Sequence, residues 1–145
     1  MTKSFVHLHA HTEYSMLDGA AKIVDYLKKV KELNQPAAAI TDHGNLYGAM
    51  EFVQKANDYG IKPIIGYEAY ITPGSRFDRP DRQNNKRYHL TLLAENNIGY
   101  QNLVELASKS YTEGYYYKPR VDYELLDQHH DCLIALSVCL GGELA

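Results

Sequence analysis

Tryptophan is absent from the 145 residues, and cysteine occurs only twice, at Cys132 and Cys139. Two thiols build no disulfide framework, so a bridge-stapled extracellular scaffold is excluded and a reduced, cytoplasmic chain is expected. Long apolar runs are also missing. The first residues, MTKSFVHLHAHT, contain no long apolar run, so neither a signal peptide nor a membrane span is expected there. An excess of charge of one sign is lacking too. A formal net charge of −3 gives no general attraction to nucleic acid, so any such affinity has to come from a local patch. Neither an internal repeat nor a low-complexity segment interrupts the chain.

What the chain does have is tyrosine, 13 of them, a residue that packs its ring while keeping a hydroxyl near water and that suits surfaces meeting bases or sugars. Hydrophobic periodicity divides the rest. Phe5 to Thr12 reads as a short strand. Ala20 to Leu33 has Ile23, Val24, Leu27, Val30 and Leu33 at helical spacing, with Pro36 beyond its end. Ala37 to Ile40 reads as a strand and Leu46 to Tyr59 as a helix closed by Gly60. Pro63 to Ile71 is a buried strand, and Pro73 to Lys86 a polar loop. His89 to Leu93 is a strand, Ile98 to Ser110 a helix, Gly114 to Arg120 irregular, Tyr123 to His129 a short helix and Leu133 to Val138 a strand. Strands alternating with helices predict βαβ units and a parallel α/β sheet.

His7, His9 and His11 alternate, and a strand turns every second side chain to one face. Asp18 follows them, His43 follows the second strand, Glu68 lies late in the third, His89 opens the fourth and Cys139 follows the fifth. Most of these positions fall near the carboxyl ends of successive strands, where α/β folds keep their chemistry; the start of the fourth strand is the exception. Imidazole, carboxylate and thiolate suit zinc, and also admit manganese or iron. The seven such groups besides His7 exceed the four ligands of one tetrahedral zinc, so more than one cation is implied. Paired cations are a device for phosphoryl transfer. His7 and Asp42 are placed as hydrogen-bonding neighbours of the ligands.

The segments H-L-H-A-H-T-E-Y-S-M-L-D-G, I-T-D-H-G-N-L-Y-G, G-I-K-P-I-I-G-Y-E-A-Y, Y-H-L-T-L-L-A and S-V-C-L-G-G-E carry a family likeness. Together they resemble the PHP (polymerase and histidinol phosphatase) domain, and within it the polymerase branch, the N-terminal domain of bacterial replicative DNA polymerase III α subunits. The resemblance implies a distorted (β/α)7 barrel of parallel strands alternating with helices, and up to three divalent metal ions (Zn, Mn or Fe, with Mg for a polymerase part). One ion would see His9, His11 and Glu68. A second would see Glu68, His89 and Cys139, and a third Asp18 and His43. Glu68 and His43 would serve catalysis through metal-generated hydroxide. The family's last Asp and His lie in a motif that the sequence does not reach. The expectation is therefore one PHP domain over 1–145, truncated before that motif, with an incomplete barrel.

The same resemblance implies a metal-dependent phosphoesterase with 3′–5′ exonuclease activity, in a chain whose whole would synthesise DNA. Expected partners are DNA, a proofreading exonuclease subunit, a sliding clamp and other replicase subunits, with no membrane. The competing readings are a metal-stabilised scaffold for the proofreading subunit and a free-standing phosphoesterase like histidinol phosphatase. For nucleic acid, Tyr116, Lys118 and Arg120 interleave aromatics with cations. Arg76 belongs to an arginine-rich loop diluted by Asp78 and Asp81. His129 and His130 read as a solvated helix end.

Overall fold

The structure is a computed structural model that describes residues 5–16, 18–137 and 140–143. Helix α1 (Ile23–Glu32) buries Ile23, Leu27 and Val30, with Asp25 in its first turn and Lys29 and Lys31 in its last, each charge opposing the adjacent end of the helix dipole. Strand β1 (Ala37–Ile40) is buried throughout. Helix α2 (Ala49–Tyr59) stops at Gly60, whose φ of 69° lets the chain turn away in the left-handed region. Strand β2 (Lys62–Ile71) pairs with β1 in parallel, Ala37 opposite Lys62 through Ile40 opposite Ile65.

The remaining elements are strand β3 (Tyr88–Ala94), helix α3 (Asn97–Thr112), strand β4 (Arg120–Val121), helix α4 (Tyr123–Gln128) and strand β5 (Leu133–Leu136). The two later helices are capped by their own side chains. Asn96 accepts from the Ile98 and Gly99 N–H groups, and Asp122 from that of Leu125, satisfying amides that a helix start leaves open. Two apolar clusters result. Ile23, Leu27, Ala38, Ile40 and Phe52 join α1 and α2 to β1. Tyr67, Ala69, Ile71, Leu103, Leu106 and Leu125 join α3 and α4 to β2.

The sheet departs from the expected all-parallel order. β3 runs antiparallel to β2, and β5 antiparallel to β3, while β4 lies parallel to β2. Among the described residues these strands form an open mixed sheet and not a closed barrel of parallel strands. The reason lies in residues 72–87. A parallel return needs a crossover, usually a helix packed on the sheet, and this polar segment has no helix. The Phe5–Thr12 segment is likewise no ladder strand. It runs beside β1 in the same direction, held where Ala39 N–H donates to the His7 carbonyl and Thr41 N–H to that of Ala10.

Candidate metal centre

The alternation of β2 sorts its side chains. Tyr67, Ala69 and Ile71 enter the α3–α4 core, so Glu68 and Tyr70 face the other side. There Glu68 is fully buried, yet among the described residues no lysine or arginine pairs with it. It meets imidazoles. His9 Nε2 and His11 Nε2 lie 2.5 and 2.7 Å from its Oε2, while His89 Nδ1 and His43 Nδ1 lie 2.7 and 3.5 Å from its Oε1. Asp18 Oδ2 lies 2.6 Å from His43 Nε2 and 3.8 Å from His11 Nδ1.

Each element delivers its ligand by a local device. His43 sits just past β1 and is bridged to Glu68 in parallel, with Gly44 N–H donating to the Glu68 carbonyl and Glu68 N–H to that of Asp42. The antiparallel course of β3 solves the misplacement of His89. Its register sets His89 opposite Tyr70, so the start of β3 lies at the carboxyl end of β2. Asp42 braces the loop that carries His11 and Asp18. It accepts from Thr12 N–H, from the Thr12 hydroxyl and from the Ser15 hydroxyl at 2.6, 2.8 and 2.6 Å. The Ser15 oxygen in turn accepts from His43 N–H.

The electrostatics suit cations. Burial pushes the Glu68 carboxyl up, but the imidazoles of His11, His89, His9 and His43 outweigh it and hold the group well below the usual carboxylate range. The His11 imidazole is raised, first by its hydrogen bond to Glu68 and against its own burial. That of His43 is lowered, burial being the main cause. Three buried polar atoms on this side lack an aligned hydrogen bond: Glu68 Oε1, His43 Nδ1 and the hydroxyl of Thr91, the residue paired with Glu68 across the β2–β3 ladder. Buried polar atoms are rarely left so.

Three ligand sets arise in which all donor atoms lie within 4.8 Å of one another: His9, His11 and Glu68; His43, Glu68 and His89; His11, Asp18 and His43. Nitrogen and oxygen donors so spaced fit cations bound at about 2 Å. Glu68 belongs to two sets and places its two oxygens toward different imidazole pairs. Cys139 lies outside the described residues.

Other expected residues land elsewhere. His7 is exposed, and its ring meets Phe5 edge-on at 4.8 Å instead of bracing a ligand. Arg120 is fully buried and donates to the carbonyls of Gly114, Arg76 and Asp78. Arg76 is buried between Glu113 and Asp122. Both guanidinium groups serve the fold, so neither is offered to a phosphate. Tyr116 is half-buried, and its hydroxyl donates to the Pro80 carbonyl. Lys118 alone of this group is exposed at the centre, with Nζ 5.3 Å above the Tyr70 ring.

Some neighbours of the site escaped the sequence. Thr12 and Ser15 carry no recognisable signal beyond their place in the loop. Tyr70, stacked 6.1 Å from His43 and edge-on to His89 at 5.1 Å, was signalled only by its separation of two residues from Glu68 in a strand.

Comparison with known proteins gives the family. Relatives named DNA polymerase III subunit alpha are 58% identical in Thermus aquaticus and 55% in Deinococcus radiodurans, over 97% and 98% of this chain. The chain spans only about an eighth of their length, 12% and 11%. Its fold is similar to that of a protein assigned as a metal-dependent phosphoesterase from Bifidobacterium adolescentis. That match has a TM-score of 0.54 and 16% identity, and covers 74% of this chain and 33% of the other. An amidohydrolase from Chromobacterium violaceum is similar at a TM-score of 0.51 and 20% identity, over 72% and 32%. The PHP domain family model matches residues 7–145, and the chain belongs to that family.

Proposed function

We propose that residues 1–145 form the PHP domain of a bacterial replicative DNA polymerase III α subunit, and that this domain hydrolyses phosphodiesters at the 3′ end of a DNA strand. One observation carries the reading: a fully buried carboxylate, Glu68, divides its two oxygens between His9 and His11 on one side and His43 and His89 on the other. A carboxylate so placed would offer one oxygen to each of two cations, the arrangement that suits a paired-metal phosphoesterase. When bound, the cations activate water and neutralise charge on the phosphate. The chain's own groups hold and orient. Glu68 stays ionised, His9, His11, His43, His89 and Asp18 offer the remaining donors, and Asp42 keeps His43 and the Thr12–Ser15 turn in fixed relation. The mixture of imidazole and carboxylate accepts zinc, manganese or iron.

The larger activities belong to the same proposal and rest on the relatives' name. They are DNA synthesis by the whole protein, contact with a proofreading subunit and a sliding clamp, and a place in the cytoplasm with the replicase. No described helix is long and apolar enough to cross a membrane. The test is metal content and 3′-nucleotide release in the full-length protein. Glu68→Gln keeps the shape but removes the charge that two sets share. It is expected to lose bound metal by elemental analysis and to abolish release with polymerase activity intact. Unchanged release by that variant would reject the centre as its source. Full metal occupancy with no release from the unsubstituted protein would leave the domain a metal-stabilised scaffold.

A further inference from the structure

Several of the chain's tyrosines gather at the mouth of this centre. A cavity of about 450 Å³ opens on Asp18, His43 and His89 and is walled by Tyr47, Tyr111 and Tyr115. Tyr111 and Tyr115 stack at 5.9 Å and 21°, and Tyr47 leans on Tyr111 at 6.4 Å. Their rings are not core. Tyr47 is 66% exposed and Tyr115 53%. Asn45 fixes the near edge of the wall. Its amide donates to the carbonyls of Tyr14 and His43, and its oxygen accepts from Tyr47 N–H, tying the wall to a ligand residue.

Tyr117 links this cavity to another. It adopts a φ of 62°, a left-handed conformation that is costly for a bulky residue and that concentrates at functional sites. Its exposed ring lines the tyrosine cavity and also a second cavity of about 520 Å³, whose other lining residues are Arg82, Asn85 and Arg87. The acids of that loop stay exposed, but their oxygens are engaged by the loop's own donors. Asp81 accepts from the backbone of Gln83 and Asn84 and from the Asn84 amide, and Asp78 from Ser75 N–H. The path from the ligands outward is therefore aromatic, then cationic at Lys118, then aromatic at Tyr117, then cationic at Arg82 and Arg87.

We propose that this path is a track for single-stranded DNA. The bases at the 3′ end stack on Tyr47, Tyr111, Tyr115 and Tyr117, while Lys118, Arg82 and Arg87 meet the phosphates behind them. The inference rests on the phosphodiesterase reading for the direction of the strand. Stacking takes any base because every base has a π face, and cations interleaved with rings follow a backbone. A small phosphate ester, by contrast, is normally held in an enclosed pocket by a few fixed polar groups. Here two open cavities share Tyr117 in their walls.

The test uses the full-length protein and a short phosphorothioate oligothymidine ending in 3′ 5-iodouracil, irradiated and mapped by mass spectrometry. Crosslinks are expected on Tyr47, Tyr111, Tyr115 or Tyr117. Tyr115→Leu with Tyr117→Leu should lower their yield by about tenfold or more, the loss of one to two stacked bases, and Lys118→Gln should flatten the dependence on salt. Crosslinks that map only elsewhere, or that survive the double substitution undiminished, overturn the track. Metal-dependent hydrolysis of methyl p-nitrophenyl phosphate is followed in parallel. If that hydrolysis is absent but the crosslinks remain on the tyrosines, the phosphodiesterase reading fails and the track stands. If hydrolysis persists and the crosslinks lie elsewhere, the reverse holds.

Discussion

Asp122 shows how a single residue can tie a loop, a helix and a cation together. Its oxygens accept from Arg76 N–H and the Arg76 guanidinium, and from Leu125 N–H at the start of α4. Burial pushes the carboxyl up, but these donors and the guanidinium charge outweigh it and hold the group below its ordinary value. The sign follows from linkage. A carboxyl depressed in the folded state stabilises fully above its unfolded value, near pH 4, and loses that contribution as pH falls through the folded value. Hydrogen-exchange protection factors, corrected for the intrinsic pH dependence of exchange, should therefore fall across residues 122–128 on acidification below about pH 4, and Asp122→Asn should lower that protection already at neutral pH and flatten its acid dependence. A profile unchanged by that substitution would remove Asp122 as the cause. Arg120 teaches the complementary point. Its charge in the sequence resembled a phosphate contact, yet its guanidinium is spent on three carbonyls inside the fold. Composition records that a cation is present and not which acceptors surround it.

At the scale of an element, the loop from Thr12 to Ala21 is set by a close approach. A Cβ on Gly19 would lie 1.8 Å from the Thr12 carbonyl oxygen, and both are backbone-bound neighbours of Ser15, whose carbonyl accepts from Asp18 and Gly19 N–H. Gly19→Ala is expected to push Asp18 away from His43 and His11, weakening the third ligand set while leaving His9 and Glu68 in place. Metal titration should then show loss of one class of site with the others kept, and equal weakening of every site would contradict this local effect. Helices were legible at this scale because an apolar stripe at 3.6-residue spacing needs no partner to be recognised. Ile23, Leu27 and Val30 announced α1 in this way. The direction of β3 was not legible. Periodicity of two reads the same in either direction, and the loop at 72–87 decides it by containing no crossover helix.

For the whole molecule, the candidate ligand cluster would act as a fastening once it held metal. It joins the 5–12 segment, the ends of β1 and β2 and the start of β3 around one carboxylate. Any ligand that binds only the folded state stabilises it, by about 2.7 kcal/mol at a concentration a hundred times its Kd. Chelation in the full-length protein should thus raise hydrogen exchange in residues 5–19 and at the start of β3 far more than in α1 and α2, whose packing on β1 is independent of the ligands. Uniform loosening would show that the metals hold the entire domain instead.

The sequence by itself determined the candidate donors and most of the elements. His9, His11, Asp18, His43, Glu68 and His89 were identifiable by residue type, spacing and family likeness, since side-chain chemistry and helical or strand periodicity are local properties. Tertiary structure alone decided that His89 meets Glu68 from an antiparallel strand, that Arg76 and Arg120 turn inward, and that scattered tyrosines share one wall. These outcomes depend on which distant groups come into contact, and contact is fixed by packing of the whole chain, where the partners of a charge or a ring are chosen by geometry rather than by neighbours in sequence.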